Sequence, residues 1–93
     1  MPSLAARVTP VEQVARRDIG GQTVAVHLGT GQYHSLNATA GRMLDELLAG
    51  PTVGDALDRL ATEYDAPRDR LEQDLLELCD ALEGRGLVAF VEP

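Results

Sequence analysis

One asparagine separates a predicted strand from a predicted helix, and this short join constrains the fold more than any other feature. The strand-like segment QYHSL occupies residues 32 to 36, and a helical apolar pattern begins directly after Asn37. The Asn37 side chain can accept a hydrogen bond from an early helix N–H, so it is a natural N-cap. The strand has few side chains suited to a core, and a loop would satisfy packing there. We therefore expect the strand to be kept for its backbone edge.

Three predicted strands are joined by glycine-rich turns. VEQVARR, residues 11 to 17, is half alternating and typical of an edge strand, and TVAVHL, residues 23 to 28, is rich in β-branched side chains. DIGGQ, residues 18 to 22, and GTG, residues 29 to 31, have the composition of turns. Because short Gly-rich loops join antiparallel neighbours, the pattern predicts an antiparallel sheet that ends in QYHSL.

Two apolar stripes with helical spacing predict the first two helices. The first stripe comprises Ala40, Met43, Leu44, Leu47 and Leu48. Gly50 and Pro51 end that helix. Thr52 and Asp55 then resemble a capping box with Asp in place of Glu. The second stripe comprises Val53, Ala56, Leu57, Leu60, Ala61 and Tyr64.

The third predicted helix is the longest and covers residues 67 to 83. Its expected core seam is Leu71, Leu75, Leu78 and Leu82. Leu76 and Cys79 lie beside this seam rather than on it. LVAFV, residues 87 to 91, is predicted as a short C-terminal strand or an extended tail.

A chain of 93 residues is expected to form one domain. Residues 1–10 are expected to be a flexible lead-in, and residues 11–93 the domain itself. The order of elements predicts an α+β, winged-helix-like fold, in which a three-stranded antiparallel sheet precedes three helices.

The net negative charge of the chain disfavours several classes of partner. The net charge is −7, which disfavours nucleic acid and anionic membrane surfaces. A DNA-reading role for the third helix is disfavoured because residues 67 to 83 hold two arginines against six carboxylates. The sequence shows no signal peptide or long apolar run, so a cytoplasmic location is the default expectation.

No pattern of catalytic or metal-binding residues is found. If the second hairpin turns symmetrically about Thr30 and Gly31, His27 and His34 lie opposite each other across its two strands, but two imidazoles do not complete a zinc site. Cys79 is the only cysteine, and nearby acids should raise the pKa of its thiol. There is no glycine-rich phosphate loop and no nucleophilic serine motif. We predict a non-enzymatic protein with no metal and no cofactor.

The ordered set of motifs resembles the PqqD-like family of precursor peptide recognition elements. The matching features are a glycine turn, QYHSLNATAGRMLDELL, the helix TVGDALDRL, a tyrosine, a long third helix and a closing RGL. The resemblance runs from about Val11 to Val91. Where the family often has a second aromatic residue in the strand, this chain has His34. As a stand-alone domain, it looks most like the leader-binding partner in lasso-peptide biosynthesis.

The resemblance implies a non-catalytic adaptor for ribosomally made precursor peptides. In this family the leader segment adds as a strand to the third predicted strand, here QYHSL, in a groove against the third helix. A separate cysteine leader peptidase or other maturation enzyme then acts on the leader. The positions that match the peptide-binding site are Gln32, Tyr33, His34, Ser35, Leu36, Asp69, Glu72, Leu75, Leu76, Cys79 and Asp80. Asp69, Glu72 and Asp80 would rim the groove and favour a leader that carries Lys or Arg.

A different class of function stays open. A self-associating protein–protein interaction module with no peptide ligand would bury the same strand edge against a second copy. Both alternatives need an exposed edge, so the sequence alone does not separate them.

Overall fold

A computed structural model describes residues 1–93 as five strands and three helices. The elements in chain order are β1 (Arg7–Pro10), β2 (Val14–Ile19), β3 (Gln22–His27), β4 (Gln32–Leu36), α1 (Ala38–Ala49), α2 (Val53–Glu63), α3 (Arg68–Gly84) and β5 (Val88–Val91). β2, β3 and β4 form an antiparallel sheet in that spatial order. The predicted α+β class is confirmed, with the three-stranded sheet, the three helices and the short C-terminal strand.

The first hairpin turns on two glycines. Gly20 and Gly21 both have positive φ, 59° and 84°, which is the backbone that a two-residue turn between twisted strands requires. Ile19 and Gln22 close this turn as a pair. The turn is therefore shorter than the predicted segment DIGGQ, and β2 extends to Ile19 rather than ending at Arg17.

The second hairpin corrects the expected pairing of the two histidines. His27 pairs with Gln32, and His34 pairs with Ala25. The turn is not symmetric about Thr30 and Gly31, because the amides of both residues donate to the His27 carbonyl, at 3.2 and 2.7 Å. Gly31 takes φ 76° and ends a four-residue turn, residues 28–31, which the His27–Gln32 pair closes. The imidazoles share one face of the sheet but are not opposite each other.

The expected lead-in contains an ordered strand. β1 pairs antiparallel with β5, from Arg7 with Val91 to Pro10 with Val88, in a second sheet. Upstream of β1, the carbonyls of Leu4 and Ala6 accept from the amides of Gly54 and Val53, at 2.8 and 3.0 Å. First-turn amides of a helix have no partner within the helix, so this N-terminal segment completes the start of α2.

Both predicted helix caps are present. The Asn37 side chain accepts from the Ala40 amide at 2.8 Å, and Thr52 and Asp55 form a reciprocal capping box. Glu46 links α1 to α2 through Arg59 at 2.5 Å and also pairs with Arg42. The Arg59 hydrogen bond, followed by that of Arg42, holds the pKa of Glu46 below its usual range despite partial burial.

The core lies between the inner face of the sheet and the three helices. Its largest fully buried side chains are Leu44, Leu47, Leu57, Leu60, Leu75, Leu82, Val53 and Cys79. Cys79 therefore belongs to the seam of α3, and Leu78, expected on the seam, is only partly buried. Burial, with the charges of Asp80 and Glu83, raises the pKa of the Cys79 thiol to about 12.

α1 approaches β3 at a glycine. A Cβ added to Gly41 would lie 2.4 Å from Thr23 Oγ1, a distance that real contacts do not allow. Thr23 is buried, and its hydroxyl donates to Asp18 at 2.8 Å, so it cannot easily move aside. Gly41 thus sets how closely the helix lies on the sheet.

We expect Gly41→Ala to lower the free energy of unfolding by about 1–3 kcal/mol, because the added methyl group overpacks this contact. Gly84→Ala is the matched control, since a Cβ there meets no atom within 4 Å and φ is not positive. Gly84→Ala should be neutral or stabilising by up to about 1 kcal/mol. Urea denaturation measures both variants, and equal stabilities would contradict the close approach.

Candidate functional site

β4 forms a free edge of the sheet. It pairs with β3 on one side and with no strand on the other. Just after β3, the Leu28 amide donates to the Gln13 carbonyl on the β2 side, at 2.6 Å. At the end of β3, the His27 carbonyl accepts from the Gly31 amide on the β4 side, at 2.7 Å. Because bonding directions alternate along an antiparallel strand, the backbone groups of Tyr33 and Ser35 point away from β3. These amides and carbonyls are open to a further strand.

The two faces of β4 differ. Gln32, His34 and Leu36 share the inner face with Ala25, whereas Tyr33 and Ser35 lie on the outer face. Leu36 is buried in the core at 5% exposure, His34 is half-buried, and Tyr33 is 74% exposed. The five β4 residues predicted for peptide binding thus divide between two surfaces.

A groove opens where β4 runs into α1. It has a volume of about 340 Å³ and is lined by α1 and by one flank of α3. The lining residues are Asn37, Thr39, Ala40, Met43, Asp74, Glu77 and Leu78. At the other end of β4, the side chain of His27 lies beside Gly86, just after α3. α3 therefore runs alongside the inner face of β4.

The structure separates the α3 residues predicted for the site. Leu75 and Cys79 have no exposed surface and lie in the core. At 100° per residue, Asp69, Glu72, Leu76 and Asp80 lie on one side of the buried seam, and Asp74, Glu77 and Leu78 lie on the other. Asp80 pairs with the amino group of Met1 at 3.1 Å, so its flank faces the N-terminal segment.

The α3 residues that line this groove are not the α3 residues predicted for peptide binding. Asp74, Glu77 and Leu78 line the groove, although Leu78 was assigned to the core seam. The available signal was the cysteine, because placing Cys79 on the seam with Leu71, Leu75 and Leu82 moves Leu78 to the flank. A second apolar position beside a helical stripe can belong to either flank, and periodicity does not choose.

His34 has an unusual side-chain environment. Its Nε2 is enclosed and has no hydrogen-bond partner, and it is the one buried side-chain nitrogen or oxygen of the chain in that condition. No group of three or more His, Cys, Asp or Glu residues is arranged to hold a metal ion.

The outer face of the three-stranded sheet is apolar and exposed. Ile19 is 58% exposed, and with Val24, Val26 and Tyr33 it borders a shallow depression of about 360 Å³. Arg17 lies on the same face and forms no ion pair. No helix covers this face.

None of the three helices combines the length and the apolar character that crossing a membrane requires.

Comparisons with known proteins agree with this geometry. The solved structure described as TbiB1 in complex with the TbiA(beta) leader peptide is 29% identical, with a TM-score of 0.79 over 86% of this chain and 93% of that one. A lasso peptide synthetase B1 complexed with the leader peptide has the same fold, at 24% identity and a TM-score of 0.80, over 89% of this chain and 98% of that one. No curated protein sequence matches the chain significantly.

The model of one protein family matches most of the chain. It covers residues 22–88, from the start of β3 to the start of β5, and therefore includes β4, the three helices and the groove between them. The family is described as coenzyme PQQ synthesis protein D (PqqD). The chain belongs to the PqqD family.

Proposed function

We propose that this protein is a non-catalytic adaptor that binds the leader segment of a ribosomally made precursor peptide. The leader adds as a strand to β4 and lies against α3, and a separate leader peptidase or other maturation enzyme acts on it. The observation that carries the proposal is the free edge of β4 beside an open groove. The solved structures that share this fold are described as complexes with leader peptides, which supports the same role here.

Side chains must supply most of the affinity. Each added strand hydrogen bond contributes roughly 0.5–1.5 kcal/mol, and ordering each leader residue costs about 1–2 kcal/mol. The free energy gained by backbone pairing is therefore nearly cancelled by the free energy lost in ordering the leader. Two or three apolar leader side chains, each contributing roughly 1.5–3 kcal/mol on burial, give net binding. Ala40 and Leu78, which are only partly buried, offer apolar surface for them in the groove.

The groove also carries negative charge. Asp74 and Glu77 border it and take part in no ion pair. A leader with Lys or Arg near its apolar anchors fits this rim better than an acidic one.

Catalysis by the adaptor itself is not supported, because the one thiol is fully buried with a pKa of about 12.

The edge is tested with a fluorescein-labelled synthetic leader from the precursor gene that neighbours this one, titrated and followed by fluorescence anisotropy. Ser35→Pro removes an N–H from the free edge without touching the bonds to β3, and it should weaken binding about five- to tenfold. Ser35→Ala keeps the N–H and should bind like wild type. Equal binding by the proline variant, with an unchanged melting temperature, would place the leader on another surface.

The flank of α3 is tested by two leucines of one helix. Leu76 and Leu78 are both partly buried, but only Leu78 lines the groove. Leu78→Glu should weaken leader binding about tenfold or more, since a buried leucine contributes roughly 1.5–3 kcal/mol. Leu76→Glu should bind normally on this proposal, whereas the flank expected from the sequence predicts the reverse result. Leu78→Ala repeats the test with less risk to folding.

We propose further that the maturation enzyme docks on the outer face of the sheet. This face is continuous with β4 through Tyr33, so an enzyme seated there lies next to a leader bound at the edge. The exposed apolar surface around Ile19 and Val24 calls for an apolar partner surface. Because Arg17 has no ion pair, we expect the partner to place a carboxylate next to it.

Ile19→Glu should abolish leader cleavage by the partner peptidase in a reconstituted assay while leaving leader affinity unchanged, because Ile19 lies on β2, far from the β4 edge in the sheet order. Ala89→Glu adds the same charge at an exposed position of β5 and should cleave normally. Normal cleavage by the Ile19 variant would overturn the docking surface.

The self-association alternative instead buries the free edge of β4 against a second copy of the chain. Light scattering across concentrations separates it from the adaptor. A mass that doubles with concentration in the wild type but not in Ser35→Pro, with no leader binding, would favour the self-associating module.

A further inference from the structure

The side chain of His34 is incomplete in the free protein. Its Nε2 is enclosed on the inner face of β4 and has no hydrogen-bond partner, whereas every other buried side-chain nitrogen or oxygen has one. A buried polar atom without a partner destabilises the structure that contains it, and such atoms are rare in folded proteins. Because Nε2 has no exposed surface in the free protein, the imidazole ring has to turn toward the open edge of β4 before a ligand can supply the missing partner, and that pairing then removes this cost.

Strand addition brings a ligand side chain to this position. The outward backbone groups of Tyr33 and Ser35 lie on either side of His34, so a strand bonded to both places one residue opposite His34. Paired residues of neighbouring strands put their side chains on the same face of the sheet. In an antiparallel added strand this is a non-hydrogen-bonded pair, in which the two side chains are closest.

We propose that His34 is a specificity-determining residue that hydrogen-bonds through Nε2 to an uncharged hydroxyl or amide side chain of the leader. This inference rests on the proposed function and names the chemistry of one leader position. The leader residue that pairs with His34 is therefore Ser, Thr, Asn or Gln rather than an aliphatic residue.

The chemistry of the ring selects this class. In a neutral imidazole, Nε2 either donates or accepts, and a hydroxyl or amide group can meet both cases. A carboxylate only accepts, and it would enter a chain of net charge −7 next to a groove bordered by Asp74 and Glu77. An aliphatic side chain would leave Nε2 enclosed without a partner, which binding does not favour.

Three variants of His34 distinguish a hydrogen bond from simple space filling. A Gln side chain places its amide about where Nε2 lies, an Asn side chain reaches only as far as Nδ1, and a Leu side chain fills space without a polar atom. His34→Gln should bind the labelled leader within about threefold of wild type. His34→Asn and His34→Leu should each bind about tenfold more weakly, and His34→Met serves if the Leu variant has a lowered melting temperature.

The leader side of the pair is found by the same titration. Each Ser, Thr, Asn and Gln of the synthetic leader is changed to Ala in turn, with Thr→Val as the isosteric change. One of these changes should weaken binding to wild type about tenfold and have no further effect on His34→Leu. That loss of coupling is the signature of a direct contact.

Two results overturn the inference while the proposed function stands: binding by His34→Leu that equals wild type, or losses in the leader scan that are the same in wild type and His34→Leu. Failure of wild type itself to bind the leader overturns the proposed function, and the inference with it. Ser35→Pro, measured alongside, separates these results. It weakens binding when only the inference fails, and it has no effect to show when the wild type does not bind the leader.

Discussion

The contact between Gly41 and Thr23 is the constraint on which the arrangement of the site depends. It allows α1 to lie directly on the central strand, and the Asn37 cap then fixes where the helix begins. Because one residue separates β4 from α1, the end of β4 cannot move away from the sheet. α3 packs with the other helices at a distance that leaves a groove beside β4. A larger side chain at position 41 would shift the helix and change the width of that groove.

β4 serves two surfaces because side chains alternate along a strand. Its inner face turns Leu36 and His34 toward the core, and its outer face presents Tyr33 with the apolar surface of β2 and β3. The backbone edge lies between them. A peptide at the edge and a protein on the outer face can therefore be bound together without competing for the same atoms. This geometry suits a protein whose role is to hold one molecule in place for another.

Local signals predicted the parts of the fold that local physics determines. The strand QYHSL, the Asn37 cap and the Thr52 capping box are all present, because turns, caps and side-chain alternation depend on a few neighbouring residues. β1 escaped prediction because its partner is β5, at the other end of the chain. The histidines are not opposite each other because a four-residue turn with Gly31 at positive φ sets the register, and composition shows a turn without showing its geometry.

The flank of α3 that lines the groove could not be predicted, because Leu76 and Leu78 are equivalent in a sequence pattern. Only the positions of Met1 and α1 in space distinguish their flanks. The outer apolar face was also missed. Its residues come from three strands whose individual patterns are weak, and the surface exists only once the strands are paired.

The ladder between β1 and β5 has a consequence for the order in which the protein folds during synthesis. The hairpins and helices are made of contacts between nearby residues and can form early, whereas the ladder between β1 and β5 cannot form until β5 has left the ribosome. Leu4 and Ala6, which complete the first turn of α2, are held in place by that strand. The nascent chain therefore lacks the β1–β5 ladder, and the support that the ladder gives to the start of α2, until β5 has been made.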